Sequence, residues 1–313
     1  MFDWDVVIVG GGPAGLSAGL YLSRAGQRVI LLEKENFGGR IKNVEWIENY
    51  PGFAAGVSGP QLASEMVTQA TKYGLKLEQA EVIGIELFSS CLWVTCANGK
   101  GYTAAAVIIA GGSRLKKLGV PGEERLQGKG VFSCALCEGG EFASRIVAVC
   151  GGGDAGITEA LYMANLASKV FLIEMEPQLT ATPILQKRAF GNPKLEIRCG
   201  VKVDAILGDS KVGAIELTQR ESGSKEILKV DGVLVYVGLD PNTSYLNGIV
   251  PLDRDLQIIV NDRMETQIPY LFAAGDIRSG SPRQITTAVG DGATAAVSVF
   301  RFLKEIPSIS PNP

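Results

Sequence analysis

The stretch DVVIVGGGPAGLSAGLYLSRAGQRVILLE, residues 5–33, decides the fold. Its first residues, Asp5 to Val9, are an apolar run of strand length. Glycines stand at 10, 12 and 15, followed by a helix-like stretch and a second strand-like run, Gln27-Arg-Val-Ile-Leu-Leu-Glu33, closed by a carboxylate. Strand, Gly-x-Gly-x-x-Gly, helix and acid-terminated strand make up the dinucleotide fingerprint. Gly10 permits the tight turn, Gly12 lets backbone approach a pyrophosphate, and Gly15 allows close packing of helix on strand. The helix opening at Pro13 and Ala14 turns free N–H groups toward the phosphates. Glu33 is placed to accept hydrogen bonds from ribose hydroxyls. The bland alternative, a glycine-rich turn without a ligand, does not explain strand, helix and acid arriving together.

A second copy follows. Arg145-Ile-Val-Ala-Val-Cys150 leads into GGGDAG, with Gly151, Gly153, Asp154 and Gly156, and the next strand-like run is Lys169-Val-Phe-Leu-Ile-Glu174. The interval from Gly151 to Glu174 equals that from Gly10 to Glu33. Equal spacing predicts two dinucleotide-binding folds in one chain, which is an oxidoreductase arrangement: one nucleotide as cofactor, another as donor or its vestige.

Two further segments return to the first copy. Ala105-Ala-Val-Ile-Ile-Ala110-Gly111-Gly112 reads as a strand ending at the nucleotide. Near the C-terminus, YLFAAGDIRSGSPRQITTAVGDG, residues 270–292, reads as a strand into Gly275 and Asp276 and then a helix start. The carboxylate of Asp276 suits a flavin ribityl chain or a pyrophosphate. The expected fold class is therefore α/β, with two Rossmann-like, three-layer dinucleotide-binding domains, the second inserted in the first. The expected domains are 1–114 with 241–313, and 115–240.

Composition agrees with this organisation. A chain of 313 residues is two domains of roughly 150 residues. Its 46% hydrophobic and 20% charged residues are those of a globular protein, and a net charge of −3 gives no electrostatic case for nucleic acid or an anionic membrane. Acidic residues precede the first apolar run, so it is not read as a signal peptide, and its glycines and proline argue against a membrane span. The expected location is cytoplasmic. There is no histidine, which removes the commonest general base and metal ligand and leaves proton chemistry to carboxylates, thiols, tyrosines or water. Six cysteines in such a chain do not suggest a disulfide scaffold, and no metal site is expected. Cys91, Cys96, Cys150 and Cys199 lie in apolar, strand-like runs and are expected in the core. Cys134-Ala-Leu-Cys137 is different: its spacing suits a reversible disulfide across one helical turn.

At this point the chain resembles the low-molecular-weight thioredoxin reductases over nearly its whole length. The matching pieces are GGGPAG at 10–15, GGRIKNVEWIENYPGF at 38–53, LGVPGEE at 118–124, CALCEG at 134–139, GGGDAG at 151–156, VYVGLDPNT at 235–243 and FAAGDIRSGSPRQITTAVGDG at 272–292. Each alone is weak; seven in family order are specific. The resemblance implies an FAD-binding domain over 1–114 and 241–313, a central domain with the dithiol, and a homodimer whose central domains rotate. It implies FAD contacts from Gly39, Arg40, Asn49, Gly111, Gly275, Asp276, Arg283, Gln284 and Ile285, beside the fingerprint residues. It also implies a thioredoxin-like disulfide substrate, with Cys137 facing the flavin and Cys134 attacking the partner. Glu138 stands where the family has Asp and is the candidate acid/base for thiol protonation.

One part of the family pattern is missing. Members that use NADPH carry a His-Arg-Arg triplet after the second strand of the central domain, and here the stretch is Glu174-Met175-Glu176, with no Arg or Lys from Pro177 to Leu185. Two carboxylates would repel a 2′-phosphate, so NADPH is not the expected donor. NADH or another non-phosphorylated dinucleotide on Glu174, even a second FAD, is one reading. Electrons from ferredoxin, with the second fingerprint a relic, is another, as in the family's ferredoxin-dependent and deep-branching photosynthetic branch. A flavin-binding redox sensor without turnover is a third, against which the intact dithiol counts. Arg40 replaces the usual Gln, and Trp46 in the same loop is expected either beside the flavin or in the core.

Overall fold

The computed structural model describes residues 2–88 and 91–305, so positions 1 and 306–313 of the expected domain limits lie outside the described residues. The chain opens with β1 (Trp4–Val9), α1 (Pro13–Arg24), β2 (Val29–Glu33), α2 (Gly59–Thr71) and β3 (Lys76–Gln79). Four strands follow, β4 (Val82–Leu87), β5 (Leu92–Cys96), β6 (Gly101–Ile109) and β7 (Ser113–Leu115). Then come β8 (Val131–Phe132), α3 (Ala135–Glu138), β9 (Ile146–Cys150), α4 (Asp154–Leu166), β10 (Lys169–Glu174), α5 (Pro183–Phe190) and β11 (Leu195–Cys199). The strands β12 (Val201–Leu207), β13 (Ala214–Gln219), β14 (Lys225–Lys229), β15 (Gly232–Val235), β16 (Leu239–Pro241) and β17 (Leu271–Ala273) lead to α6 (Ile285–Glu305). The chain divides into two compact units, Met1–Arg114 with Asp240–Pro313, and Leu115–Leu239.

In the first unit the strand order is β3-β2-β1-β6-β5-β4, with β17 also on β6. β6 pairs with β1 on one edge and is long enough to serve two neighbours on the other. Its early residues pair antiparallel with β5 (Trp93↔Thr103), and its late ones pair parallel with β17 (Phe272↔Ile108). The strands β3, β2, β1, β6 and β17 thus run parallel. Such strands are covered on both faces, which is why they read as continuous apolar runs. Val6, Val7 and Ile8 are fully buried, alternating between two core clusters on opposite faces of the sheet. On one face α1 and α6 pack with Val6 and Ile8, and the antiparallel strands β4 and β5 add Ile85, Leu92 and Val94 to the other cluster. Helix α2 begins at Ser58, whose hydroxyl accepts the Gln61 N–H at 3.3 Å, a side-chain cap for one orphan donor.

The second unit repeats the plan. Its parallel sheet has the order β11-β10-β9-β15-β8, and β12, β13 and β14 form an antiparallel sheet of three. The fold class read from the sequence, α/β with two Rossmann-like units, is the one observed. The antiparallel sheets are additions that glycine fingerprints do not encode. Glu123 is a buried carboxylate in this unit, and the backbone N–H groups of Leu118 (2.9 Å) and Gly119 (2.7 Å) donate to it. They compensate its burial and fix the LGVPGEE segment.

Candidate functional site

The first glycine turn is built as its sequence requires. Gly10 has φ +110°, and a Cβ there would lie 2.3 Å from the Ala110 carbonyl oxygen, so only glycine fits between β1 and the end of β6. A Cβ on Gly15 would lie 1.9 Å from the Gly10 oxygen. A Cβ on Gly12, in contrast, would meet nothing within 4 Å: the start of α1 is open. Pro13 and Ala14 form its first turn. Glu33 is half-buried, and its carboxylate accepts the N–H groups of Gly11 (2.7 Å) and Glu35 (2.8 Å). Gly39 abuts the turn, since a Cβ on it would lie 2.9 Å from Gly12 Cα.

The later segments gather on this turn. Gly275, at φ +82°, packs against Ala14, and Gly111 lies beside Gly10. Asp276 follows; its half-buried carboxylate accepts no hydrogen bond among the described residues. Burial pushes its pKa up, while the nearby Arg40 and Arg283 guanidinium groups pull it down. Arg40 is exposed and approaches the Ser113 hydroxyl at 3.5 Å. Arg283 holds a left-handed backbone, φ +57°, immediately before Gln284 and the start of α6 at Ile285. Asn49 donates to Gln284 Oε1 at 3.1 Å, joining residues from distant parts of the sequence. Trp46 is 48% exposed, which removes it from the core.

Three residues that the motifs do not single out hold this arrangement. Asp291, buried on α6, accepts both Arg278 donors (2.7 and 2.9 Å) and the Gly275 N–H (3.2 Å), tying the Asp276 loop to the helix. Asn242 donates to the Gly111 carbonyl at 2.8 Å. Arg278 and Asp291 lie within the quoted C-terminal motif, but nothing in their spacing announces the pair.

The second glycine turn repeats the plan of the first. Gly151 has φ +121°, and a Cβ on Gly156 would lie 2.0 Å from the Gly151 oxygen. Gly153 caps α4, as Gly12 caps α1. Glu174 accepts the N–H groups of Gly152 (2.5 Å) and Glu176 (2.9 Å), the same two positions that donate to Glu33. Asp154 opens α4 and accepts the Thr182 N–H at 2.6 Å.

In the same unit Cys134 and Cys137 form a disulfide, with Cα atoms 5.3 Å apart. Cys134 precedes α3 and is buried; Cys137 is exposed and donates its backbone N–H to the Cys134 sulfur at 3.1 Å. The short helix is held by Glu159 on α4, which accepts the Ala135 N–H at 3.3 Å, and by the stacked rings of Phe132 and Phe142, 4.5 Å apart. Glu138 follows Cys137 and is half-buried. The other thiols divide. Cys96 and Cys150 are buried, and burial pushes the Cys150 pKa up to about 12, leaving an inert thiol. Cys91 and Cys199 are only half-buried, and Cys91 precedes β5 instead of lying in it, so the expected core placement holds for two of the four. Among the described residues no group of three His, Cys, Asp or Glu is placed to hold a metal, and no helix is long and apolar enough to cross a membrane.

Known proteins share this arrangement. The family model described as pyridine nucleotide-disulphide oxidoreductase matches residues 4–292. The chain is 40% identical over 304 residues to a thioredoxin reductase of Bacillus subtilis, covering 97% of this chain and 96% of the relative. The crystal structure of Lactococcus lactis thioredoxin reductase superposes with a TM-score of 0.95 at 35% identity, covering 97% of this chain and 100% of that one. A ferredoxin-flavin thioredoxin reductase from Clostridium acetobutylicum gives a TM-score of 0.53 at 28% identity, covering 96% and 99%. On these matches the chain belongs to the low-molecular-weight thioredoxin reductases, FAD-dependent oxidoreductases of the pyridine nucleotide-disulphide oxidoreductase family.

Proposed function

We propose that the chain is a protein-disulfide reductase that acts on a thioredoxin-like partner through Cys134 and Cys137 and does not draw on NADPH. The observation that carries the proposal is the oxidised cysteine pair in a unit whose glycine turn ends in Glu174 and Glu176. The first unit suits FAD. Gly12 leaves room for a pyrophosphate at the start of α1, and Glu33 has lone pairs left for ribose hydroxyls. Asp276 is a half-buried acceptor awaiting donors, and Gly39, Arg40, Gly111, Gly275 and the Asn49–Gln284 pair surround the same turn. When bound and reduced by the donor, FAD would supply the electron pair that opens the Cys134–Cys137 bond.

Two electrons and two protons convert that disulfide to a dithiol. Cys137 is the exposed residue of the pair and the one assigned to the flavin side. Cys134 receives the Cys137 N–H, a donor that favours its thiolate. The Cys134 thiolate attacks a partner disulfide, forming one mixed disulfide and releasing one partner thiolate. Cys137 then attacks Cys134, re-forming the intrachain bond and releasing the second partner thiol. Glu138, next in sequence to Cys137, takes and returns the thiol proton. A cytoplasmic homodimer, as its kinship suggests, completes the proposal.

For the electron source, the intact second turn supports a non-phosphorylated dinucleotide, NADH or a second FAD, on Gly151, Gly153, Asp154, Gly156 and Glu174. A second reading, reduced ferredoxin, is supported by the absence of Lys and Arg from Glu174 to Leu185 and by the likeness to the ferredoxin-flavin relative. Anaerobic titration of the purified yellow protein with NADPH, NADH and reduced ferredoxin, with flavin counted per chain, tests the proposal. Bleaching by NADH supports the first donor and bleaching by ferredoxin alone the second; stoichiometric bleaching by NADPH overturns its exclusion. Cys137→Ser is expected to keep its flavin and lose disulfide turnover, and unchanged turnover would sink the dithiol assignment.

A further inference from the structure

The ribose end of the second glycine turn holds one cation that its local sequence does not reveal. Arg220 lies just beyond β13, far along the chain from Glu174, yet its main chain is fixed beside the residues that follow β10. The Arg220 N–H donates to the Gly200 carbonyl at 2.8 Å, and the Gly200 N–H donates to the Glu176 carbonyl at 2.8 Å. The guanidinium then donates to the Met175 carbonyl at 3.1 Å and stands 3.9 Å from the Glu176 carboxylate. Arg198, one strand over from β10, is already taken by Glu196 and Glu226 and lies over the Phe171 ring. Arg220 is not so committed, and both it and Glu176 are about half exposed, at 51% and 54%.

In a Rossmann unit the acid that ends the second strand faces the ribose 2′-hydroxyl, and an arginine nearby accommodates a 2′-phosphate. We propose that Glu176 and Arg220 form a selectivity pair for the second nucleotide site: Arg220 stands where a 2′-phosphate would be received, and Glu176 neutralises it and repels the phosphate. The exclusion of NADPH then depends on one exposed carboxylate as much as on the missing basic triplet. Backbone hydrogen bonds hold the Arg220 main chain and the Met175 carbonyl holds its guanidinium, neither of which needs the Glu176 carboxylate, so removing that carboxylate leaves the guanidinium without a counter-charge at this site. This inference rests on the second turn binding a nucleotide.

The test is calorimetric titration of the FAD-loaded protein with ADP-ribose and with 2′-phospho-ADP-ribose. The wild-type chain is expected to bind ADP-ribose and to discriminate against its 2′-phosphate by about tenfold or more. Glu176→Gln should improve affinity for the 2′-phosphorylated probe about tenfold, the value of one charge-assisted hydrogen bond, and leave ADP-ribose affinity nearly unchanged. Adding Arg220→Ala should cancel the gain, and Arg220→Lys should retain part of it. No gain in Glu176→Gln, or a gain that survives loss of Arg220, overturns the pair while leaving the nucleotide site standing. Absence of ADP-ribose binding throughout overturns the site and the pair together.

Discussion

Among the described residues the half-buried Asp276 carboxyl has no hydrogen-bond donor, and burial holds its pKa above the ordinary 3.8, although Arg40 and Arg283 oppose the shift. A carboxyl with a raised folded pKa contributes stability that is full below the unfolded value and is lost as pH rises through the folded one. FAD-free protein should therefore lose stability just above pH 3.8, where Asp276 must ionise unassisted. Hydroxyl donors on a bound FAD favour the ionised form, so binding is expected to release a proton in that window. Asp276→Asn should remove the proton release and weaken FAD about tenfold, as read from flavin fluorescence across pH. An unchanged pH slope would count against Asp276 as a cofactor ligand. At this scale the sequence speaks clearly where geometry is local: Gly10, Gly15 and Glu33 are demanded by one turn. It is silent on Arg278 with Asp291, which meet only when the loop after β17 folds onto α6, and on Asn242 with Gly111, which are far apart in the sequence.

Helix α6 lies on α1 at a contact that admits no side chain. A Cβ on Gly292 would sit 2.1 Å from the Ala14 carbonyl, and the Ser17 hydroxyl donates to the Val289 carbonyl at 2.8 Å. Gly292→Ala must lift α6 from α1, with an overpacking penalty of about 1–3 kcal/mol. That predicts a Tm lower by about 2–4 °C per kcal/mol, together with weaker FAD retention, because α6 starts at Ile285, directly after Gln284. Retained Tm and flavin would show that the helix adjusts without strain. Elements inside the fingerprints are legible because strand, turn and helix are contiguous there. The antiparallel strands β4 and β12–β14 escape notice, being short amphipathic runs with no motif, and the pairing of β5 is equally unannounced. Arg220 escapes for the same reason, since Met175 and Glu176, just after β10, are brought to it by that sheet.

The whole molecule uses one plan twice. Each unit places its glycine turn after the middle strand of a parallel sheet, and the two carboxylates, Glu33 and Glu174, accept equivalent N–H pairs. Two units with separate cores need not melt as one. Calorimetry is expected to show two transitions, of which removal of FAD lowers only the one belonging to Met1–Arg114 with Asp240–Pro313. A ligand at a hundred times its Kd accounts for about 2.7 kcal/mol of that difference. Equal shifts in both transitions would contradict the assignment of the first unit to FAD. The interrupted chain order also has a consequence for synthesis. The ribosome completes Leu115–Leu239 before it makes β17 and α6, so the contiguous unit is free to fold while the interrupted one still lacks its last strand and helix. A nascent chain held before Leu271 would carry its cysteine pair yet offer FAD an unfinished cradle, and the flavin would be captured only after β17 and α6 have been made.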